Sequence, residues 1–155
     1  MNHLVSNRSK ILLFAMVLTL SSCALKPISS EYQFINNTIK EVSLDQLGNG
    51  TIMIYNGADA LHTIDNTARL NVWIDGQALG QIRQWEFMII DIKKGSHTFK
   101  LQHIDLVNMR SDHQVEVTED TKIIRIEPTI TSNKLTITNA LPEKMDKYIN
   151  SRDRN

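Results

Sequence analysis

Apolar positions fall into four successive patterns along the chain. Residues 11–20 (ILLFAMVLTL) form an apolar run broken only by Thr19. Across residues 24–50 apolar side chains are scattered without a period among Pro27, Ser29 and Ser30. From Thr51 the pattern alternates with a period near two, which puts successive side chains on opposite faces of a strand. After Asn139 the alternation stops, and Leu141, Met145, Tyr148 and Ile149 fall at helical spacing.

The alternating region predicts most of the fold. Residues 51–56 (TIMIYN) make an opening strand, ended by Gly57-Ala58-Asp59. In residues 69–75 (RLNVWID), Leu70, Val72 and Ile74 share one face while Asn71, Trp73 and Asp75 share the other. Asp75-Gly76 is a two-residue hairpin signal, because a type I′ turn needs positive φ at both positions. The return strand is 77–82. Residues 86–92 are apolar on both faces, as expected of a strand buried on two sides. Lys93-Lys94-Gly95 turns into a strand at 96–104, followed by strands at 113–118, 121–130 and 134–138. Pro128 cannot donate to a ladder, so its end of the strand belongs at an edge or bulge.

Short strands at regular spacing predict an all-β chain, a β-sandwich of about seven antiparallel strands. The tail predicts a short C-terminal helix, with Asn139 as its cap and Pro142 in its first turn. Residues 151–155 read as frayed. The domain is therefore expected at 51–150, behind a tether at 23–50 that is flexible around Pro27, Ser29 and Ser30, open to a partial helix or strand from Tyr32, and closed by a Gly48-Asn49-Gly50 turn.

The apolar run at the start has its own explanation. Arg8 and Lys10 precede it, and no acidic residue occurs before Glu31. A ten-residue helix is only ~15 Å long, against about 30 Å of hydrocarbon, so the run reads as the core of a secretory signal. Leu20-Ser21-Ser22-Cys23 then resembles the lipobox of bacterial lipoproteins. Cleavage is expected between Ser22 and Cys23, which makes 1–22 the signal peptide and Cys23 the acylated first residue of the mature chain. The sequence contains 1 cysteine, so a disulfide within the chain is excluded, and lipidation accounts for the lone thiol. Two or three acyl chains hold a protein to a bilayer stably, where one does so marginally. In a Gram-negative host, Ala24 in place of Asp directs such a protein to the outer membrane, facing the periplasm.

Charge narrows the partners. Of 17 Lys and Arg residues the signal peptide removes two, leaving 15 against 17 Asp and Glu. No basic field for nucleic acid exists in that balance.

A family resemblance follows from the strand pattern. The run Leu70-Asn71-Val72-Trp73-Ile74-Asp75-Gly76, then Leu79-Gly80, Phe87 and Lys94-Gly95-Ser96-His97, resembles the bacterial envelope lipoproteins filed as domain of unknown function 2846. A similar core occurs in PEGA domains. The resemblance spans about residues 51–149, and it implies a sandwich of the transthyretin or immunoglobulin kind without an established activity.

Candidate chemistry is sparse. His97 and His103 share a strand face six residues apart, which is ~20 Å and too far for one metal ion. His103 and His113 can meet across a hairpin, but no carboxylate or cysteine completes a site. His62 stands apart, and His97, which follows Gly95-Ser96, reads as structural, the family resemblance implying that it belongs to the turn. No nucleophile elbow or dinucleotide fingerprint appears. Asp75, Gly76, Gly80 and Gly95 read as turn residues, so no cofactor, metal or catalytic residue is expected. Trp73, with outward parity, and Trp85, in the 83–86 loop, are the candidate partner-binding residues. The sequence thus predicts a non-enzymatic lipoprotein that binds another envelope protein or a glycan. The alternatives are a periplasmic small-ligand carrier or sensor, and an envelope hydrolase.

Overall fold

The computed structural model describes residues 25–58, 68–105 and 107–154. Residues 1–22, read above as a signal peptide, together with Cys23 and His62 lie outside the described residues. Among those described the chain is all-β, in two sheets. The strands are β1 (Thr51–Asn56), β2 (Leu70–Ile74), β3 (Gln77–Ile82), β4 (Glu86–Asp91), β5 (Gly95–Ile104), β6 (Asn108–Val117), β7 (Ile123–Pro128), β8 (Asn133–Ile137) and the two-residue β9 (Ile149–Asn150). One sheet has the order β8-β7-β1-β4-β9 and the other β3-β2-β5-β6.

The alternation of side chains builds the core between the sheets. Ile52, Ile54, Met88, Ile90, Ile124 and Ile126 from the first sheet face Leu70, Val72, Ile74, Leu79, Phe99 and Leu101 from the second. The opposite face of the first sheet is apolar too. Met53, Tyr55, Phe87, Ile89 and Ile123 form a second cluster there, covered by Ile39, Val42, Leu47, Leu141, Met145 and Tyr148. This is why 86–92 reads as apolar throughout: β4 is buried on both faces.

Five expectations need correction. The sheets are not wholly antiparallel, because β1 pairs parallel with β7 and β4 pairs parallel with β9. The described strands number nine rather than about seven. No C-terminal helix forms. Beyond β8 the regular pieces are three-residue 3₁₀ turns at Met145–Lys147 and Ser151–Asp153, with β9 between them. Asn139 does not cap a helix. It has φ 47°, and its side-chain oxygen accepts from the backbone N–H groups of Lys122 and Ile123 at 2.8 and 3.2 Å, while its amide donates to the Asp120 carbonyl at 2.9 Å. Nor do residues 151–154 fray. Ser151 is buried, and Arg154 is ion-paired with Glu86.

The fifth correction concerns the tether. Residues 25–50 are packed on the sandwich, starting with the buried Leu25. The amides of Glu31 and Tyr32 donate to the Ala78 carbonyl on β3 at 2.8 and 3.1 Å. Farther on, Asn36 donates to Ile89, and Asp91 to Phe34, along β4 at 2.9 and 2.8 Å. This strap closes the seam between the two sheets where β3 crosses to β4, and the C-terminal segment closes the rest of it through β9. On this side of the sandwich the edges of β3 and β4 are thereby covered and shielded from edge-to-edge association.

Two ends of the sandwich follow from the register. The hairpin end carries the β2–β3 turn, the β4–β5 turn and the β6–β7 turn. The opposite end carries the β3–β4, β5–β6 and β7–β8 connections.

Candidate functional site

The hairpin end holds the most developed site. Asp75 and Gly76 have φ values of 50° and 82°, the pair of positive values that a type I′ turn requires. With the turn so placed, the Asp75 carboxylate faces β5. One oxygen accepts from the Thr98 amide at 2.8 Å and the other meets His97 Nδ1 at 2.5 Å. His97 Nε2 meets the Lys93 carbonyl at 2.7 Å. Asp75 thus ties the hairpin to β5, and His97 extends the tie to the β4–β5 turn. Burial pushes the Asp75 carboxyl upward, yet the bonds from His97 and Thr98 outweigh it and hold the group below its ordinary value. Both nitrogens of His97 are engaged, so neither stands open to take a proton from a substrate.

Beside this tie lies a cavity of about 370 Å³. Tyr32 and Phe34 of the strap form one wall and Ile74 and Ile92 the other, with Asp75, Asp91, Lys93 and His97 among its lining residues. Tyr32 and Phe34 meet edge to face, with centroids 6.1 Å apart. Phe34 is 58% exposed. Asp91 anchors the strap, accepting from the Asn36 amide at 3.1 Å and from Thr51 Oγ1 at 2.8 Å. Burial, then the charges of Asp75 and Asp91, push the Tyr32 hydroxyl upward, so it stays protonated. The arrangement is an apolar concavity with a polar rim. It can accept an apolar or aromatic group, and a polar attachment beside it.

The predicted partner residues are not brought together. Trp73 lies half-buried on the outer face of its sheet, in a groove with Thr98, Lys100, Gln102, Arg110 and Asp112. Trp85 lies beyond the other sheet. It has φ 61°, its ring meets Tyr148 at 5.3 Å, and Lys147 Nζ sits 5.7 Å from its centroid. The two indoles therefore do not form one surface. Gly80 has φ 126° and lies in β3 at the register shift opposite Val72 and Trp73, rather than between strands. Gly95 has φ 130° and opens β5.

His103 and His113 are linked, though not face to face. Across the hairpin His103 opposes Met109, and His113 opposes Phe99. Asn133 and Ser111 bridge them. His103 Nδ1 meets Asn133 Oδ1 at 2.7 Å, Asn133 Nδ2 donates to Ser111 Oγ at 3.1 Å, and Ser111 Oγ meets His113 Nε2 at 2.8 Å. Among the described residues no group of three His, Cys, Asp or Glu side chains is placed to hold a metal ion. Burial lowers the His113 pKa from its ordinary 6.5, opposed by the Asp112 charge. An unfolded chain therefore takes up this proton more readily than the native one. Stability should fall as the pH drops below about 6.5 and level off once the native-state pKa is passed. Urea midpoints measured between about pH 7 and pH 5 should show this fall, and His113→Gln should flatten it.

The sequence reading missed Tyr32 and Phe34, which it placed in a tether. A pair of aromatics two residues apart inside an otherwise polar spacer is the signal that marks them. It also missed Asn133, whose type alone says nothing of its burial. No protein-family model, curated protein or solved structure matches the chain.

Proposed function

We propose that the protein is a non-enzymatic lipoprotein of the bacterial envelope, held on the outer membrane by acylated Cys23, whose sandwich binds another envelope component. The observation that carries the binding role is the apolar cavity at the hairpin end. An exposed aromatic beside an apolar concavity is the form of a hot-spot pocket that takes a partner's side chain. Kinship with the lipoproteins of domain of unknown function 2846, and with transthyretin- or immunoglobulin-like sandwiches, belongs to the same proposal and rests on the sequence motif.

Catalysis is the weaker reading. The Asp75–His97 pair spends both imidazole nitrogens on structural bonds, and Ser111 accepts from Asn133 while it meets His113. The carrier reading keeps one specific support, since a cavity of about 370 Å³ falls within the range of small-molecule sites. The C-terminal segment does not line this cavity. Leu141, Met145 and Tyr148 pack directly on the apolar outer face instead.

Titration with an apolar fluorophore such as N-phenyl-1-naphthylamine tests the cavity. The mature protein should bind it saturably, and Phe34→Ser should weaken binding about tenfold, the effect of roughly 1.4 kcal/mol of lost apolar contact. Equal binding by the variant would remove the cavity from the account. A partner protein that displaces the probe favours the scaffold reading, and a small envelope metabolite that does so favours the carrier.

A further inference from the structure

We propose that the end of the sandwich opposite the hairpins is a membrane-docking surface, seated on a bilayer whose headgroups are anionic phospholipids. Its starting geometry rests on the Cys23 anchor. Leu25 is buried, its carbonyl accepts from Gln81 Nε2 at 3.4 Å, and the Lys26 carbonyl accepts from Asn71 Nδ2 at 2.9 Å. Asn71 and Gln81 are paired across β2 and β3 beside Leu70 and Ile82, which are the strand residues farthest from the Asp75-Gly76 turn. The chain is therefore fastened to the sandwich two residues after the lipidated cysteine. Two residues span at most ~7 Å, so no spacer lifts the domain away from the headgroups.

The same end exposes groups suited to that contact. Ile130, in the β7–β8 turn, is 78% exposed, and Val107, in the β5–β6 turn, is 58% exposed. Aliphatic side chains at turn tips lose little by entering the interfacial layer, where an apolar face can be buried. Cations surround the point where the chain joins. Arg69 precedes β2, Arg83 follows β3, Arg154 reaches the Gln81 carbonyl at 2.9 Å, and Lys26 is exposed beside Leu25. Arg69 and Arg154 both lie near enough to Arg83 to repel its charge. Among the described residues, two of the carboxylates nearby are ion-paired. Glu86 is paired with Arg154, and Glu127 is paired with Arg125 and Lys134, while Asp105 remains in the β5–β6 turn. With Arg154 offset by Glu86, the cations Lys26, Arg69 and Arg83, flanked by apolar tips, match a negatively charged bilayer surface. Docked this way, the cavity at the hairpin end points away from the membrane.

Hydrogen exchange of the acylated protein tests the proposal, on phosphatidylglycerol-containing vesicles, on pure phosphatidylcholine vesicles and in neutral detergent micelles. On the anionic vesicles the amides around Val107 and Ile130 should exchange about tenfold more slowly than in micelles. The turns at 75–76, 93–95 and 119–120 should be unchanged. Joint replacement Val107→Asp and Ile130→Asp alters only exposed side chains, and it should abolish the protection. Unprotected tips on anionic vesicles, protection of the hairpin end instead, or protection that survives the double variant would each overturn the docking surface. Failure to stay on the phosphatidylcholine vesicles would count against the anchor alone. Protection on anionic vesicles would then still uphold the docking surface.

Discussion

Gly50→Ala should destabilise the protein by about 3 kcal/mol or more, the range of severe single substitutions. Gly50 stands just before β1 with φ +95°, and a Cβ there would lie 2.4 Å from the Ile92 carbonyl oxygen. That oxygen belongs to backbone at the end of β4, and the Ile92 amide donates to the Gly50 carbonyl at 2.8 Å. Relief of the clash would have to break the bond that aligns the two chains. Gly76→Ala is the control. Its φ is +82°, but nothing lies within 4 Å of the added atom, so only the conformational penalty of about 1 kcal/mol applies. Urea denaturation should separate the two variants clearly, and equal midpoints would show that the close approach of Gly50 to Ile92 is not a constraint.

Asn56→Ala should cost about 3 kcal/mol by another route. Asn56 is fully buried at the end of β1. Its amide donates to the Ala68 and Ile82 carbonyls at 2.7 and 3.0 Å, and its side-chain oxygen accepts from the Ala58 amide at 3.0 Å. One side chain thus ties β1 to the start of β2 and the end of β3, joining the two sheets. Alanine would leave two buried carbonyls and an amide without these partners, and each such loss is worth about 1–3 kcal/mol before relaxation. Asn56→Asp is the sharper comparison, because it keeps the acceptor and the shape while removing both donations. A thermal midpoint for Asn56→Ala equal to that of the native protein would contradict this role.

The strands were legible wherever one face carries aliphatics. Leu70, Val72 and Ile74 announce β2, and Asp75-Gly76 announces its turn with the correct conformation. β6 is five residues longer toward its start than its pattern predicts, because its inward positions there are Met109, Ser111 and His113 rather than valines. Alternation between polar residues carries no signal. Residues 31–47 misled for a related reason. Tyr32, Ile35, Ile39, Val42 and Leu47 cover the seam and the outer sheet face without regular structure, so their spacing has no period to detect.

The C-terminal segment shows the converse. Leu141, Met145 and Tyr148 fall at helical intervals, yet a sheet face offers apolar contacts that an irregular segment can meet at the same spacing. There the tertiary surface overrides local propensity. The candidate site was half legible. Asp75 and Gly76 form the turn expected of them, while His97 lies within β5 and only its side chain reaches the turns. The cavity wall comes from Tyr32 and Phe34, fifty or so positions away from any strand that the pattern would pair with them. That Trp73 and Trp85 lie apart was not legible, because parity assigns a face within one sheet and cannot tell which sheet a loop residue will join.

Intact-mass and peptide mass spectrometry of the protein taken from its native envelope bears most directly on the lipoprotein account. A mature chain that starts at Cys23, with diacylglycerol on the sulfur, is the expected product. A chain that begins elsewhere, or that carries Cys23 as an unmodified thiol, would contradict the anchored binding role.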